Sequence, residues 1–306
     1  MTRQWETGVD YYIGEIIMKD EKRWICKETH TAKEFDKTLW GKIDTKESPP
    51  KEYNNKVAII TSMDINYYEK VGKAMLKSWK AHWAHLYPMY VYNEAGFRVK
   101  VRGTKSLGWQ LGNDYLSFMR RHTNDKVKTF AKKAFSIIHA MDTIDCEKLI
   151  WLDADVIIKN SLPENLIDIL CPKDTLSAHF SVWHVVDDVK YHSCETGFFI
   201  LNKKHPKFKE FRETYRRIYL EDDTNGIRRF YDGEVYGKTV DALAQSGAKM
   251  VNLTSGPHKT PIPRSIMAPY ISHFKAGLKE RVDFDKVLEN TLSTANYIDL
   301  DEDDEI

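Results

Sequence analysis

Short apolar runs and longer amphipathic stretches alternate through the middle of the chain. Residues 56–62 and 87–92 are apolar runs bounded by polar residues, as expected of strands buried on both faces. Residues 64–79 and 129–141 instead carry apolar side chains on one face at helical spacing. Followed by the apolar run 149–152, the order strand, helix, strand, helix, strand predicts a parallel, doubly wound sheet.

The second half of the chain continues this pattern less regularly. Residues 198–202 are predicted to be a strand, and residues 206–221 and 233–245 to be amphipathic helices. The aromatic, histidine-rich segment 179–191 shows no clear alternation, and the Gly- and Trp-containing segment 96–114 is expected to be a loop. The predicted fold class is therefore α/β: a mixed, mainly parallel, Rossmann-like sheet flanked by helices, plus a small N-terminal β module.

The same pattern divides the chain into four parts. Residues 1–45 are rich in Trp and Tyr and are expected to form the β module, with a hairpin turn at 19–22. The Pro-containing segment 46–55 is expected to be a linker, and residues 56–283 the main domain. Residues 284–306 are predicted to be a C-terminal helix and an acidic tail.

The overall composition gives no signal for a particular class of partner. The 306 residues include 46 Lys or Arg and 45 Asp or Glu, so no global attraction to nucleic acid or membrane follows. No apolar run approaches the roughly 20 residues of a membrane span, and the N-terminus shows no signal-peptide core. Four scattered cysteines without a Cys-x-x-Cys pair are typical of reduced thiols, so we expect a cytoplasmic protein.

One local charge imbalance could still matter. The basic segment 98–133 carries ten Lys or Arg, with only two Asp between residues 96 and 133. Such a segment is often no more than a solvated face. It could also guide an anionic acceptor, including DNA.

Two aspartates stand at the end of the most apolar strand. Asp153 and Asp155 alternate along an extended chain, so they point the same way, roughly 7 Å apart. The carboxyl ends of strands are where open α/β sheets bind ligands, and Mg²⁺ or Mn²⁺ would relieve the repulsion between the two carboxylates. For a lone Asp-x-Asp the commoner explanation is simpler, with one residue capping a turn and the other solvated.

The spacing leaves two metal-dependent chemistries open. An EF-hand is excluded, because its Asp-Gly continuation and distal Glu are missing. The Asp-x-Asp of glycosyltransferases, whose cation holds the diphosphate of a sugar nucleotide, fits the segment 153–156. So does the strand followed by Asp-x-Asp-x-Val of haloacid-dehalogenase-type phosphatases, although their nucleophile normally lies near the start of the fold.

A third candidate ligand lies far along the chain. His273 follows a short apolar run and precedes Gly277 and Lys279. Imidazole can complete a metal site, Gly lets the backbone approach phosphate, and Lys neutralises it. Taken alone, such a histidine is more often structural.

Together, these residues resemble the retaining glycosyltransferases of the GT-A fold, especially the glycogenin and lipopolysaccharide galactosyltransferase group. In that group a C-terminal His-aromatic-x-Gly-x-x-Lys supplies the last metal ligand and a phosphate-binding lysine. The resemblance implies that Asp153, Asp155 and His273 bind Mn²⁺ or Mg²⁺, and that Asp153, Gly277 and Lys279 contact a UDP-sugar donor. Gly277 comes one residue later than in the family. The implied activity is hexosyl or pentosyl transfer.

Further matches extend the resemblance over residues 56–283. Thr61, Asp64 and Tyr67 lie at positions where members of the family bind the nucleoside of the donor. An aromatic-Ala-basic triplet ending in Lys132 lies where the family contacts the donor, and Asp232 opens a helix near the sugar.

The chain departs from the family at residues that face sugar and acceptor. Glu195 stands where the family usually has Asn, and Gly233 followed by Glu234 stands where Gln is expected. A retaining reaction needs no strong enzymic base. An inverting one would require Glu195, Asp232 or Glu234 to take the acceptor proton.

The N-terminal 40 residues resemble the small carbohydrate-binding modules of chitinases that recur in phage proteins. Exposed Trp faces there could stack on sugars, or the aromatics could simply form a small core. The acceptor is then expected to be a glycan or, in a phage context, a hydroxymethylated DNA base in the host cytoplasm. A phosphohydrolase and a purely carbohydrate-binding protein are the remaining alternatives.

Overall fold

The computed structural model describes residues 3–11, 16–20, 22–26, 30–43, 56–93, 97, 99–108, 111–254, 260–275 and 282–292. The strands in this part of the chain are β1 (Arg3–Gln4), β2 (Asp10–Tyr11), β3 (Ile16–Lys19), β4 (Lys22–Cys26), β5 (His30–Thr31), β6 (Trp40–Ile43), β7 (Val57–Met63), β8 (Met89–Asn93), β9 (Lys105–Gly108), β10 (Lys148–Leu152), β11 (Val156–Ile158), β12 (Ser177–Val186), β13 (Val189–Asn202), β14 (Met250–Asn252) and β15 (Ile271–His273).

The helices are α1 (Ile65–Tyr67), continued through a π-helical turn (Tyr68–Gly72) into α2 (Lys73–His82), then α3 (Gly112–Arg121), α4 (Asp125–Thr143), α5 (Leu166–Leu170), α6 (Phe208–Leu220), α7 (Asp232–Gln245), a 3₁₀ turn (Ile262–Arg264) and α8 (Phe284–Leu292). None of the described helices is long and apolar enough to cross a membrane.

Seven strands form the central sheet in the order β14-β12-β13-β10-β7-β8-β9. Strands β10, β7, β8 and β9 run parallel to one another, and β14 runs parallel to β12. Strand β13 is antiparallel to both of its neighbours, β10 and β12. The predicted α/β class with a mixed, mainly parallel sheet is therefore confirmed.

Alternate side chains of the central strands enter two separate cores, which explains their unbroken apolar runs. Ile59 and Ile150 pack with α2 on one face of the sheet. Ile60 and Trp151 pack with α4, α6 and α7 on the other. Because both faces are covered by helices, polar residues are excluded until the strands end.

Helix α7 lies unusually close to β13 because two glycines face the strand. A Cβ on Gly233 would lie 2.5 Å from the carbonyl oxygen of Cys194, and one on Gly237 would lie 3.0 Å from that of His192. The glycines are four residues apart, so they share one face of the helix. Asp241, four residues further on, continues this face toward His192.

One prediction of irregular structure is wrong, and a second segment contains strands that the sequence pattern does not reveal. Within the segment 96–114 expected to be a loop, β9 pairs in parallel with β8 and α3 begins at Gly112. The segment 179–191 belongs to the long β12–β13 hairpin, which turns at Asp187 and Asp188 with positive φ of 49° and 60°. The base of this hairpin is buried on both faces, and burial removes the polar alternation that would reveal a strand.

The N-terminal region has its own sheet, in the order β1-β3-β4-β6, and its own apolar cluster. Strands β3 and β4 pair as a hairpin from Lys19 and Lys22, as predicted. The predicted linker 46–55 and the acidic residues at 299–305 lie outside the described residues. The division into four parts therefore stays a prediction.

Candidate functional site

A cavity of about 630 Å³ opens at the carboxyl ends of β7 and β10, beside the N-terminus of α7. Its volume is that of a small-molecule site. The predicted site residues that line it are Asp64, Tyr67, Lys132, Asp153, Asp155, Glu195, Asp232, Glu234 and His273.

Strand pairing brings the two aspartates and the histidine together. Asp153 and Asp155 occupy the turn between β10 and β11. Strand β11 pairs with β15 in a register that sets Val156 opposite His273. As a result, His273 Nε2 lies 3.1 Å from Asp155 Oδ1 and 3.6 Å from Asp153 Oδ2.

Protein donors fix one oxygen of each carboxylate and leave the other facing the histidine. Trp151 Nε1 and Lys133 Nζ each donate to Asp153 Oδ1 at 2.6 Å. The Tyr67 hydroxyl donates to Asp155 Oδ2 at 2.7 Å, and burial together with Asp155 raises the pKa of this phenol, which keeps its proton. Two carboxylate oxygens and one imidazole nitrogen thus converge, a donor set that suits Mg²⁺ or Mn²⁺.

The position of His273 depends on a glycine in β13. A Cβ on Gly197 would overlap the imidazole ring of His273. The Nδ1 atom that such a Cβ would meet also lies 3.3 Å from Glu195 Oε1. A glycine at position 197 is therefore needed to seat the third candidate ligand.

Lys133, which the sequence analysis missed, is the buried cation of the site. Its Nζ contacts Asp153 Oδ1 at 2.6 Å, the carbonyl of Thr196 at 2.8 Å and Asp232 Oδ2 at 2.8 Å. Burial opposes the charge of Lys133, but Asp153 and Asp232 outweigh it and raise the lysine pKa. Burial likewise opposes the charge of Asp232, but Lys133 outweighs it and lowers the pKa of that carboxyl.

A signal for Lys133 was present in the sequence. It lies three residues after Phe130 and four before Ile137, on the apolar face of α4. A lysine on such a face must find buried partners. The motif comparison instead pointed to Lys132, which also lines the cavity.

The three candidate catalytic carboxylates each have a cationic partner. Asp232 pairs with Lys133, and its Oδ2 also accepts from the Thr196 hydroxyl at 2.6 Å. Glu195 pairs with Lys275, a second cation that the sequence analysis missed. Lys275 comes two residues after His273 and lines the same cavity.

Glu234 is held by the segment just before α7. Its Oε2 accepts from the backbone N–H of Arg228 at 2.6 Å and of Arg229 at 2.8 Å, and its Oε1 lies 3.2 Å from Arg228 Nη2. A cationic side chain therefore holds each of Asp232, Glu195 and Glu234 in place.

The remaining predicted residues have varied positions. Asp64 caps α1, its Oδ1 accepting from Tyr67 N–H at 2.6 Å, while its side chain faces the cavity. Thr61 is buried within β7, one residue before the part of the strand that lines the cavity. Gly277 and Lys279 lie outside the described residues, so their predicted contacts with phosphate stay predictions.

Part of the basic segment is engaged with the protein itself. The guanidinium of Arg121 binds Asp222 and donates to the carbonyls of Tyr219 and Leu220. Lys105 Nζ donates to the Tyr90 hydroxyl at 3.1 Å. Arg120, in contrast, is exposed on α3. The local excess of positive charge does not by itself provide a row of available cations.

The N-terminal aromatics pack mainly against one another. Tyr11 and Trp40 are buried in the N-terminal cluster, and the partly buried Trp5 and Trp24 pack against it beside Phe35. This favours the explanation in which these rings form a small core.

No protein-family model and no curated protein matches this sequence. Among solved structures, the fold is similar to that of the WbbM bifunctional glycosyltransferase in its apo form, with 13% identity, a TM-score of 0.51, and coverage of 88% of this chain and 54% of that one. The chain thus spans about half the length of WbbM. The α/β sheet is of the Rossmann-like GT-A type, and at this identity the likeness shows the fold alone.

Weaker likenesses support no argument of their own. One is to a glycosyltransferase involved in glycosylation of the major capsid of PBCV-1, with 17% identity, a TM-score of 0.41, and coverage of 74% of this chain and 99% of that one. Another is to the galactosyltransferase LgtC in complex with donor and acceptor sugar analogs, with 14% identity, a TM-score of 0.44, and coverage of 79% and 97%.

Proposed function

We propose that this protein is a metal-dependent glycosyltransferase that transfers a sugar from a UDP-sugar donor to an acceptor hydroxyl. The observation that carries the proposal is the orientation of the two aspartates. One oxygen of each is fixed by protein donors, and the other faces His273 Nε2 within 3.6 Å. The GT-A-type sheet and the size of the adjoining cavity are consistent with it.

Asp153, Asp155 and His273 would hold Mn²⁺ or Mg²⁺, which when bound supplies Lewis-acid stabilisation of the leaving diphosphate. Lys133 orients Asp153 and neutralises Asp232, so the carboxylates can remain charged in a buried setting. Lys132 lines the cavity and would add positive charge near the diphosphate.

We further propose that the reaction retains configuration. The bond between the anomeric carbon and the diphosphate breaks, a bond to the acceptor oxygen forms, and the acceptor proton passes to the departing diphosphate. Glu195, Asp232 and Glu234 are each paired with a cation, which makes a carboxylate a weaker base. This supports a retaining path, because such a path requires no strong enzymic base. In this scheme the three carboxylates orient sugar and acceptor hydroxyls.

The acceptor is proposed to be a sugar hydroxyl of a glycan. A hydroxymethylated DNA base would call for a row of cations able to meet phosphates. Arg121, which belongs to the basic segment that would supply such a row, is bound to Asp222.

The test is a screen of nucleotide sugars with the full-length protein and Mn²⁺, followed by product mass and by release of UDP. Glycan acceptors and hydroxymethyl-DNA are offered in parallel, and the Asp155→Asn variant serves as the matched negative. Release of inorganic phosphate from phosphomonoesters without UDP release would instead support the phosphohydrolase. Sugar binding with no turnover of any donor would support a carbohydrate-binding protein.

A further inference from the structure

A second cluster of potential metal ligands lies on the opposite face of β13. His179, His192 and Cys194 are all buried, and their ligand atoms lie within 4.8 Å of one another. None of the three enters the proposed sugar transfer. Their side chains point toward α7, whereas the neighbouring Glu195 points toward His273.

Outer partners hold both imidazoles with the same nitrogen turned inward. His192 Nδ1 lies 2.8 Å from Asp241 Oδ1, and His179 Nδ1 lies 3.4 Å from Ser177 Oγ. Their Nε2 atoms converge on Ser181 Oγ at 3.1 Å and 3.3 Å respectively. A carboxylate or hydroxyl at one ring nitrogen, with the other nitrogen directed to a common point, is the arrangement that surrounds metal-bound histidines.

The thiol of Cys194 lies close to the same two imidazole nitrogens. Cys194 lies opposite Ser181 in the β12–β13 register, and its Sγ is 4.0 Å from His192 Nε2. In a tetrahedral zinc site, bonds of about 2.0–2.1 Å to nitrogen and 2.3 Å to sulfur place ligand atoms about 3.5 Å apart. The cluster therefore needs to contract by only about 1 Å to satisfy this geometry.

We propose that His179, His192 and Cys194 bind one Zn²⁺ ion, with the Ser181 hydroxyl or a water in the fourth position. Two imidazoles and one thiolate form a soft set that selects zinc over Mg²⁺ or Mn²⁺. On binding, the Cys194 thiol releases its proton to solvent. The single positive charge that remains is balanced by Asp241 through His192.

The proposed role of the ion is structural. It would tie β12 to β13 and, through Asp241, to α7, which carries Asp232 and Glu234 at its other end. The proposal does not depend on sugar transfer, because metal content is measured without a substrate.

The test titrates the full-length protein, purified metal-free in a phosphine reductant, with Co²⁺ as a spectroscopic substitute for Zn²⁺. We expect one equivalent to produce the visible bands of a four-coordinate ion and the near-ultraviolet band of thiolate-to-cobalt charge transfer. One equivalent of Zn²⁺ should remove both. The Asp155→Asn variant should keep the thiolate band, since the other cluster contains no sulfur.

Matched serine variants identify which cysteine supplies the thiolate ligand. Cys194→Ser should lose the charge-transfer band, whereas Cys146→Ser should keep it, because Cys146 is equally buried at 5% exposure in the same apolar cluster. Asp241→Asn should weaken Zn²⁺ binding about 10- to 100-fold, the usual effect of losing an outer partner.

Absence of a thiolate band in the wild-type protein would overturn the proposal, and so would a band that survives Cys194→Ser. Loss of all Co²⁺ binding in Asp155→Asn would assign the ion to the other cluster and also overturn it. Should Cys194→Ser not fold, serine variants of Cys26, Cys146 and Cys171 decide by elimination. The proposal then requires that each of them retains the band.

Discussion

The two ligand clusters differ in chemistry although they meet on neighbouring residues of one strand. Glu195 faces the Asp153–Asp155–His273 cluster, and Cys194 belongs to the cluster beneath α7. Side chains alternate along a strand, so one backbone keeps oxygen-rich and sulfur-containing groups on opposite sides of the sheet. The separation would let the proposed Mn²⁺ or Mg²⁺ site and the proposed Zn²⁺ site select different ions without competing.

The clusters differ in exposure at one ligand, because the Asp155 and His273 side chains, at 8% and 6% exposure, are about as buried as that of His192. The Asp153 side chain is 24% exposed and lines the open cavity, whereas the His192 side chain is 6% exposed. A cavity-facing site can exchange an ion together with a substrate. A buried one would hold its ion throughout the life of the folded chain.

Removing a ligand from the cavity-facing cluster is expected to give the largest effect. Asp155→Asn preserves shape but removes a charge, and excess EDTA should act similarly. We expect turnover of the sugar donor to fall at least about 100-fold. Mn²⁺ should restore the chelated wild type but not the variant. The exposed substitution Asp174→Asn is the control, and full activity in EDTA would contradict the metal assignment.

Replacing Lys133 tests whether the buried carboxylates of Asp153 and Asp232 require this lysine as their counter-charge. Lys133→Met leaves Asp153 and Asp232 without their partner, so we expect the free energy of unfolding to fall by about 3–5 kcal/mol. Lys132→Met should leave stability unchanged and raise the KM for the donor. Denaturant unfolding and donor kinetics of the two neighbouring variants separate these outcomes. Equal stability losses would show that Lys133 has no special structural role.

Widening the gap between α7 and β13 tests whether the His179–His192–Cys194 cluster depends on their close packing. Gly237→Ala gains helix propensity of about 1 kcal/mol, but its methyl group meets a backbone carbonyl that cannot rotate away. Overpacking of this kind costs about 1–3 kcal/mol. We therefore expect a net loss of stability of up to about 2 kcal/mol, with weaker Zn²⁺ binding as Asp241 moves from His192. An increase in melting temperature would contradict the close approach.

Deleting residues 1–45 should leave both clusters intact if that region is a separate module. We expect the shortened protein to remain folded and to turn over its donor, with poorer use of a polymeric acceptor. Circular dichroism and donor turnover measure this. An insoluble product would show instead that the N-terminal aromatics are part of the main core.

The smallest effect is expected from the basic segment. If a polyanionic acceptor meets Arg120, Arg120→Ala should reduce the slope of log K against log salt by about 0.9, the value for one phosphate contact. Arg121→Ala should change it less, because Asp222 already holds that guanidinium. Unchanged binding in both variants would identify the segment as a solvated face.

The sequence predicted the parts of the fold in which one physical signal dominates. The short apolar run before Asp153 requires a buried strand, and two alternating aspartates then require a partner of opposite charge. Strand β9 was missed because Leu107 is the one large apolar side chain among its four residues at the sheet edge. The β12–β13 hairpin was missed because its base is buried on both faces and its tip, from Trp183 to Tyr191, is exposed or half-buried throughout, so neither part alternates.

Within the candidate site, the errors arose from position on a helix and from distance along the chain. A motif comparison cannot distinguish Lys132 from Lys133, although one residue turns a side chain by about 100° around the helix. The His179–His192–Cys194 cluster could not be predicted before the hairpin register was known, since that register alone sets Cys194 opposite Ser181.

The pairing of β11 with β15 also has a consequence for the order of folding. Asp155 and His273 are 118 residues apart in the chain, whereas Ser181 and His192 are only 11 apart. Loop-closure entropy grows with the logarithm of length, so the longer loop costs about 2 kcal/mol more to close. During synthesis, the hairpin cluster can assemble as soon as its two strands have emerged. The Asp–Asp–His cluster must wait for almost the whole chain, so an incomplete chain would lack the complete ligand set proposed for Mn²⁺ or Mg²⁺.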